Sequence, residues 1–168
     1  MSKGGRPFQA INLAVLTISD TRTTENDTSG DYLATQATEA GHNIKAREII
    51  IDDIYKIRAT VSMLIADENV QAILITGGTG FTQRDSTPEA VIPLFDKSIE
   101  GFGELFRYIS YKEIGTSTVQ SRAIAGMANK TIIFCMPGST GACKTAWEGI
   151  LKEQLDATHR PCNFAPHI

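Results

Sequence analysis

The amino-acid sequence predicts an α/β protein, a three-layer sandwich around a mainly parallel central sheet, formed by one domain over residues 1–168. Three observations lead there. Apolar runs of strand length alternate with amphipathic segments whose apolar residues recur at helical spacing. The runs are nearly continuous rather than alternating, as strands covered on both faces must be. Polar or glycine-rich loops follow those runs, at the strand ends where an open parallel sheet gathers its connections and binds ligands.

The first strand is residues 12–19, and it ends in the polar loop 20–28. Thr28 or Ser29 can cap a helix reaching Ala40, with Gly41 as its stop, because a hydroxyl satisfies the first free N–H groups and glycine tolerates the left-handed turn at the end. Residues 43–51 form a second strand. Asp52 and Asp53 then open a helix carrying Ile57, Val61, Leu64 and Ile65 on one face and ending near Asn69. The strand 71–75 follows and runs directly into the loop Thr76, Gly77, Gly78, Thr79, Gly80. Pro88 after Thr87 marks the start of a helix containing residues 89–95, since proline is preorganised for a first helical turn. A further amphipathic helix lies within 101–114; Phe102 and Phe106 are its core side chains, while Tyr108 and Tyr111 suit a subunit interface. Asn129 and Lys130 form a turn between the extended pieces 123–127 and 131–136. The last helix spans about 141–155, and the tail 161–168 reads as an extended segment laid over the body.

Composition removes several function classes. A chain of 168 residues buries a core without disulfides or metal. Its net charge of −3, with no basic cluster, argues against an extended nucleic-acid surface. No apolar stretch is long enough to span a bilayer and the N-terminus carries no apolar signal region, so no membrane association and a cytoplasmic setting are expected. Cys135, Cys143 and Cys162 form neither an even framework nor a CxxC pair, and Cys135 reads as core. His42 beside Gly41 reads as a surface residue at a helix end rather than a base; with no G-x-S-x-G elbow, serine hydrolysis has no support.

The chemistry is carried by the loops. Glycines between a strand and a helix let backbone N–H groups approach an anion, and TGGTG has the composition of a phosphate cradle. It is neither GxxxxGK[ST] nor GxGxxG, which excludes a P-loop with its lysine and a dinucleotide-binding turn. Asp52 and Asp85 each follow a strand within a few residues, and a parallel sheet brings them to the same edge. Carboxylates beside an anion-binding loop suit Mg²⁺, which binds jointly to acidic side chains and substrate phosphates. The plain alternatives are a helix cap for Asp52 and a polar loop residue for Asp85, and Asp53 is an alternative to Asp52 as the second functional acid.

TGGTG, Asp85, the Pro88-Glu89-Ala90 helix start, Gly101-Phe102-Gly103-Glu104, Ser121-Arg122, Ala125-Gly126, Pro137-Gly138-Ser139 and Ala142-Cys143 stand in an order and spacing that closely resemble the MoaB/MogA family of molybdenum cofactor biosynthesis proteins, nearest its MoaB branch. The resemblance runs on into Arg160-Pro161-Cys162-Asn163. It implies a domain binding molybdopterin, a pterin dithiolene with a terminal phosphate. In the adenylyltransferase members it further implies Mg²⁺-dependent transfer of AMP from ATP to that phosphate. By position, Asp52 and Asp85 match the acids used with the metal, and Thr76, Gly77, Gly78, Thr79 and Gly80 surround phosphate. Ser19, Asp20, Asp27, Ser29, Ser121, Arg122, Pro137, Gly138 and Ser139 fall on segments lining the ligand. The resemblance also implies a homotrimer, or a hexamer of two trimers. A noncatalytic carrier or scaffold for molybdopterin is the alternative function.

Overall fold

The computed structural model describes residues 5–168. Six strands form one mixed sheet in the order β2-β1-β3-β6-β5-β4. Strands β1 (Asn12–Ile18), β2 (Asn43–Ile50), β3 (Ala72–Thr76) and β6 (Thr131–Met136) are mutually parallel. β5 (Ile124–Ala128) runs antiparallel to β6, and β4 (Lys97–Ser98) antiparallel to β5. The helices are α1 (Thr28–Glu39), α2 (Ile54–Ala66), α3 (Thr87–Val91), α4 (Glu100–Ile114), α5 (Thr140–Ala146) and the short α6 (Lys152–Gln154).

Two cores follow from the two-residue period of a strand, which sends neighbouring side chains to opposite faces. On one face Leu13, Val15, Leu74, Phe134 and Met136 meet Leu33 of α1, Phe102 and Phe106 of α4, and Trp147. On the other, Leu16, Ile18, Ile73, Ile75, Ile133 and Cys135 meet Ile57, Val61 and Leu64 of α2 with Ala90 and Val91 of α3. Burial on both faces is why the central runs carry no polar alternation, and each such Leu, Ile or Phe contributes on the order of 2 kcal/mol by leaving water.

Several local features differ from the sequence expectation. α1 is capped by Asp27, whose carboxylate accepts the Gly30 N–H, rather than by Thr28 or Ser29. α3 gives way to a 3₁₀ turn at Ile92–Leu94, where Pro93 lacks the N–H that would continue the helix. The last helix is not continuous: Ser139 caps α5, and a π-helical turn, Trp147–Leu151, separates it from α6. The tail closes in a 3₁₀ turn, Ala165–His167, that buries Ala165. β4 has only two residues and no apolar pattern; its pairing with β5 defines it. Asn129 and Lys130, at φ 48° and 65°, make the two-residue turn whose twist suits the β5–β6 hairpin. His42 is buried rather than superficial: its Nδ1 accepts the Ile11 N–H at the start of β1, Phe8 lies against the ring, and burial lowers its pKa.

Register fixes the ligand edge. Ile18 stands beside Ile50, Thr17 beside Thr76, and Thr76 beside Met136, so the loops leaving β1, β2, β3 and β6 emerge together. Because β5 is antiparallel and Ile124 pairs with Cys135, the segment entering β5 brings Ser121 and Arg122 to that same edge. Among the described residues no helix is long and apolar enough to cross a membrane.

Candidate functional site

The glycine loop after β3 is built where side chains cannot go. Gly77 has φ +101° and a Cβ there would lie 2.2 Å from the Ile18 carbonyl oxygen; Gly78 has φ +66° and its Cβ would meet Thr87 Oγ1 at 2.2 Å and Asp52 Oδ2 at 2.8 Å. Both positions therefore exclude other residues on conformation and on space. The loop carbonyls are held by the protein body. Thr87 donates from Oγ1 to the Gly77 oxygen and from its N–H to the Gly78 oxygen. Arg122 Nε donates to the Thr79 and Gly80 oxygens at 3.1 and 3.0 Å. The same guanidinium donates to the Asp85 carbonyl and pairs with Glu89. Arg122 thus sets the shape of the loop.

Three carboxylates stand on the β1, β2 and β3 sides of this loop. Asp53 is the cap of α2, accepting from the Tyr55 and Lys56 N–H groups, which leaves Asp52 to face the glycines. Asp52 is buried, and its Oδ1 accepts from the N–H and Oγ of Ser86 at 3.0 and 2.7 Å. Burial raises its pKa; the Ser86 bonds oppose this, while the negative charges of Asp85 and Asp20 add to it. Asp85 Oδ2 accepts from the N–H and Oγ1 of Thr82 at 2.8 and 2.7 Å. Partial burial pushes its pKa up, but the bonds from Thr82 and Gly80 and the nearby Arg122 prevail and lower it. Gly80 leaves room for this group, since a Cβ there would sit 2.7 Å from Asp85 Oδ2. Asp20 is gripped by Arg84 through two bonds of 2.8 Å and accepts the Asp52 N–H at 3.0 Å; the Arg84 bonds, then that N–H, lower its pKa to about 2.

The β1–β6 side is closed by internal bonds. Asp27 accepts from Thr17 Oγ1, the Gly30 N–H and Arg47. Ser29 Oγ donates to the Gly138 oxygen at 2.7 Å, next to Thr28, Thr140 and the Ser139 cap. Thr76 Oγ1 donates to the Pro137 oxygen and lies 3.1 Å from Cys143 Sγ. Ser19 Oγ accepts from the N–H groups of Thr21 and Arg22 in a local turn. The structure thus gathers the loop, Asp20, Asp52 and Asp85 into one cluster and places Asp27 and Ser29 in the supporting wall. Among the described residues, the buried Ser121 Oγ has no hydrogen-bond partner. A cleft of about 400 Å³ between Arg6 and the tail is lined by Arg160, Cys162 and His167, near the amino ends of the strands and away from these acids.

Sequence reasoning missed Ser86, Thr82, Arg84 and Arg47. Ser86 and Thr82 flank Asp85 closely enough to be suspected, whereas Arg84 and Arg47 find their partners only through the fold. As a cation site the donor set fits magnesium better than zinc. Among the described residues no group of three His, Cys, Asp or Glu side chains is poised around one point. Two carboxylates beside a glycine loop would leave coordination positions for water and phosphate oxygens, which Mg²⁺ prefers.

Fold and site together define a class, an α/β domain with a glycine loop flanked by acids at the carboxyl edge of its sheet, the edge where open α/β sheets bind their ligands. Within that class, residues 14–157 match the family described as a probable molybdopterin binding domain. The chain is 57% identical over 168 residues to molybdenum cofactor biosynthesis protein B of Escherichia coli K12, covering 100% of this chain and 99% of that protein. A crystal structure of a molybdenum cofactor biosynthesis protein B superposes with a TM-score of 0.86 at 45% identity, over 89% of this chain and 94% of that one. The tungsten cofactor synthesizing protein MoaB from Pyrococcus furiosus superposes with a TM-score of 0.78 at 34% identity, over 86% and 92%. The chain belongs to the MoaB/MogA family of molybdenum cofactor biosynthesis proteins.

Proposed function

We propose that the protein binds molybdopterin at the carboxyl edge of its sheet and adenylylates the terminal phosphate, using ATP with Mg²⁺ and releasing pyrophosphate. The observation that carries this reading is the pair Asp52 and Asp85, each fixed through one oxygen and each set against a glycine that makes room for it. In the reaction a phosphate oxygen attacks the α-phosphorus of ATP and the bond from that phosphorus to the bridging oxygen of pyrophosphate breaks. Two anions must be brought together without a covalent nucleophile, so positioning and electrostatics do the catalysis. Asp52 and Asp85 would hold the magnesium ion, which offsets charge building on the leaving pyrophosphate. The glycine loop orients the phosphate through backbone groups, Arg122 keeps that loop in shape, and Thr87 pins its base. The exposed apolar side chains Leu105, Tyr108, Tyr111 and Ile114 of α4 support a homo-oligomer, a trimer or a hexamer of two trimers.

A second reading, a noncatalytic molybdopterin carrier, draws on one observation. The guanidinium that touches the glycine loop, Arg122, is engaged on carbonyls and Glu89, and that of Arg84, four residues past the loop, on Asp20. Anaerobic turnover with molybdopterin, ATP and Mg²⁺ separates the two. For the adenylyltransferase, Asp85→Asn and Asp52→Ala each reduce turnover by roughly 100-fold or more while pterin binding survives. Wild-type protein that binds the pterin and forms neither pyrophosphate nor adenylylated product is the carrier.

A further inference from the structure

Arg84 lies on the outgoing limb of the glycine loop, between Thr82 and Asp85, which bond to each other. Its guanidinium meets Asp20 as a fork: Nε donates to Oδ2 and a terminal nitrogen to Oδ1, both at 2.8 Å. The two side chains are 58% and 38% exposed. An ion pair so open to water contributes little to stability, and its partner is exchangeable. The contrast with Arg122 is chemical. Arg122 is set on three backbone carbonyls and a glutamate, two of those carbonyls in the glycine loop itself and the third at Asp85. Arg84 is set on a carboxylate, for which a phosphoryl group is a direct competitor with the same two-pronged geometry and more negative charge.

From this geometry we infer that Arg84 recognises the phosphoryl dianion of the ligand, and that Asp20 holds it ready until the ligand takes its place. Asp20 has somewhere to stay when released, because its Oδ1 also accepts the Asp52 N–H at 3.0 Å. The exchange therefore uncovers a carboxylate beside Asp52 at the moment an anion arrives, and links the loops after β1, β2 and β3 to ligand binding. The inference rests on the phosphate role proposed above for the glycine loop.

The test is a double-mutant cycle in calorimetric binding of inorganic pyrophosphate, without metal and at fixed ionic strength, to wild type, Arg84→Ala, Asp20→Asn and the double variant. Arg84→Ala is expected to weaken binding roughly tenfold or more through loss of the charge-assisted fork. Asp20→Asn is expected to tighten it several-fold by removing the competing acceptor, and this gain vanishes in the Arg84→Ala background. Arg84→Lys, which keeps the charge and loses the fork, falls between wild type and Arg84→Ala. Unchanged affinity in Arg84→Ala overturns the inference. So does a gain from Asp20→Asn that persists without Arg84, since it would report only general relief of negative charge. Wild type that binds no pyrophosphate overturns the phosphate site itself, and the inference with it. Thermal melts of all variants near the wild-type midpoint confirm that binding, not folding, is being read.

Discussion

Asp27 and Asp52 stand at the starts of α1 and α2, helices on opposite faces of the sheet, and are built from almost the same parts. Each carboxylate is buried, at 1% and 7% exposure. Each accepts one hydroxyl and one backbone N–H, Thr17 and Gly30 for Asp27, both groups of Ser86 for Asp52. The charge around them differs. Asp27 has Arg47 at 3.1 Å. Asp52 is in no ion pair among the described residues: Arg84 is near but bonded to Asp20, Asp85 and Asp20 repel it, and its pKa rises because burial is joined by their repulsion. A buried carboxylate with a counterion and filled acceptors is part of the frame. One without a counterion costs stability and is explained by something that comes later, a cation or a ligand.

The strongest way to break this comparison is to remove Asp27. Asp27→Ala deletes the cap of α1 and leaves the Thr17 hydroxyl and the Gly30 N–H without their acceptor, while Arg47 keeps Asp31. The expected loss is about 3 kcal/mol, seen as a fall of roughly 10 °C in the melting midpoint. A shift within about 1 °C would mean that the wall tolerates an empty position and that the division between frame and site is wrong.

Asp52→Asn should move stability the other way, and by less. The amide oxygen still accepts from Ser86, and the charge that burial and the neighbouring acids disfavour is gone. Because the folded pKa of Asp52 lies above its unfolded value, the native state binds more protons between the two values. Its contribution therefore falls as pH rises from the unfolded value through the folded one, and stays reduced at neutral pH. At pH 7 the variant is expected to melt at or above the wild-type midpoint, by up to about 1 kcal/mol, while turnover is lost. The advantage should disappear when both proteins are melted near pH 3. A variant less stable than wild type at pH 7 would show that Asp52 serves the frame as Asp27 does.

How much of this was legible in the sequence depends on the range of the interaction. The strands 12–18, 72–76 and 131–136 are marked by nearly continuous apolar runs, because both sheet faces are covered. The Asn129-Lys130 turn is marked by its position between two such runs. Adjacent acids were harder: Asp52 and Asp53 are equivalent locally, and only Ser86, 34 residues on, shows which one turns to the glycines. The cap at Asp27 competed with two good hydroxyl candidates beside it. His42 was misread because its partner is a backbone N–H 31 residues away. Arg84 and Asp20 are 64 residues apart, and nothing near either predicts the other. The glycine loop and its acids can be found by local chemistry, whereas the partners that decide what each acid does depend on the completed sheet.

The smallest expected effect tests the exposed end of the same cluster. Arg84 first, and the Asp52 N–H second, hold the Asp20 pKa at about 2, against an ordinary 3.8. A carboxylate with a lowered folded-state value stabilises fully above its unfolded pKa, and that stabilisation is lost as pH falls through about 2. The melting midpoints of wild type and Asp20→Asn should therefore differ by a small, constant amount between pH 7 and 5. The gap should narrow as pH falls below about 4, and at neutral pH it should shrink in high salt, where exposed pairs are screened. In Arg84→Ala the narrowing should be smaller and complete at a higher pH, because the main cause of the lowered folded value is gone. A gap independent of both pH and salt would mean that Asp20 acts as a neutral hydrogen-bond acceptor for the Asp52 N–H. The charge on the exposed side of the cluster would then be no part of what orders the three loops.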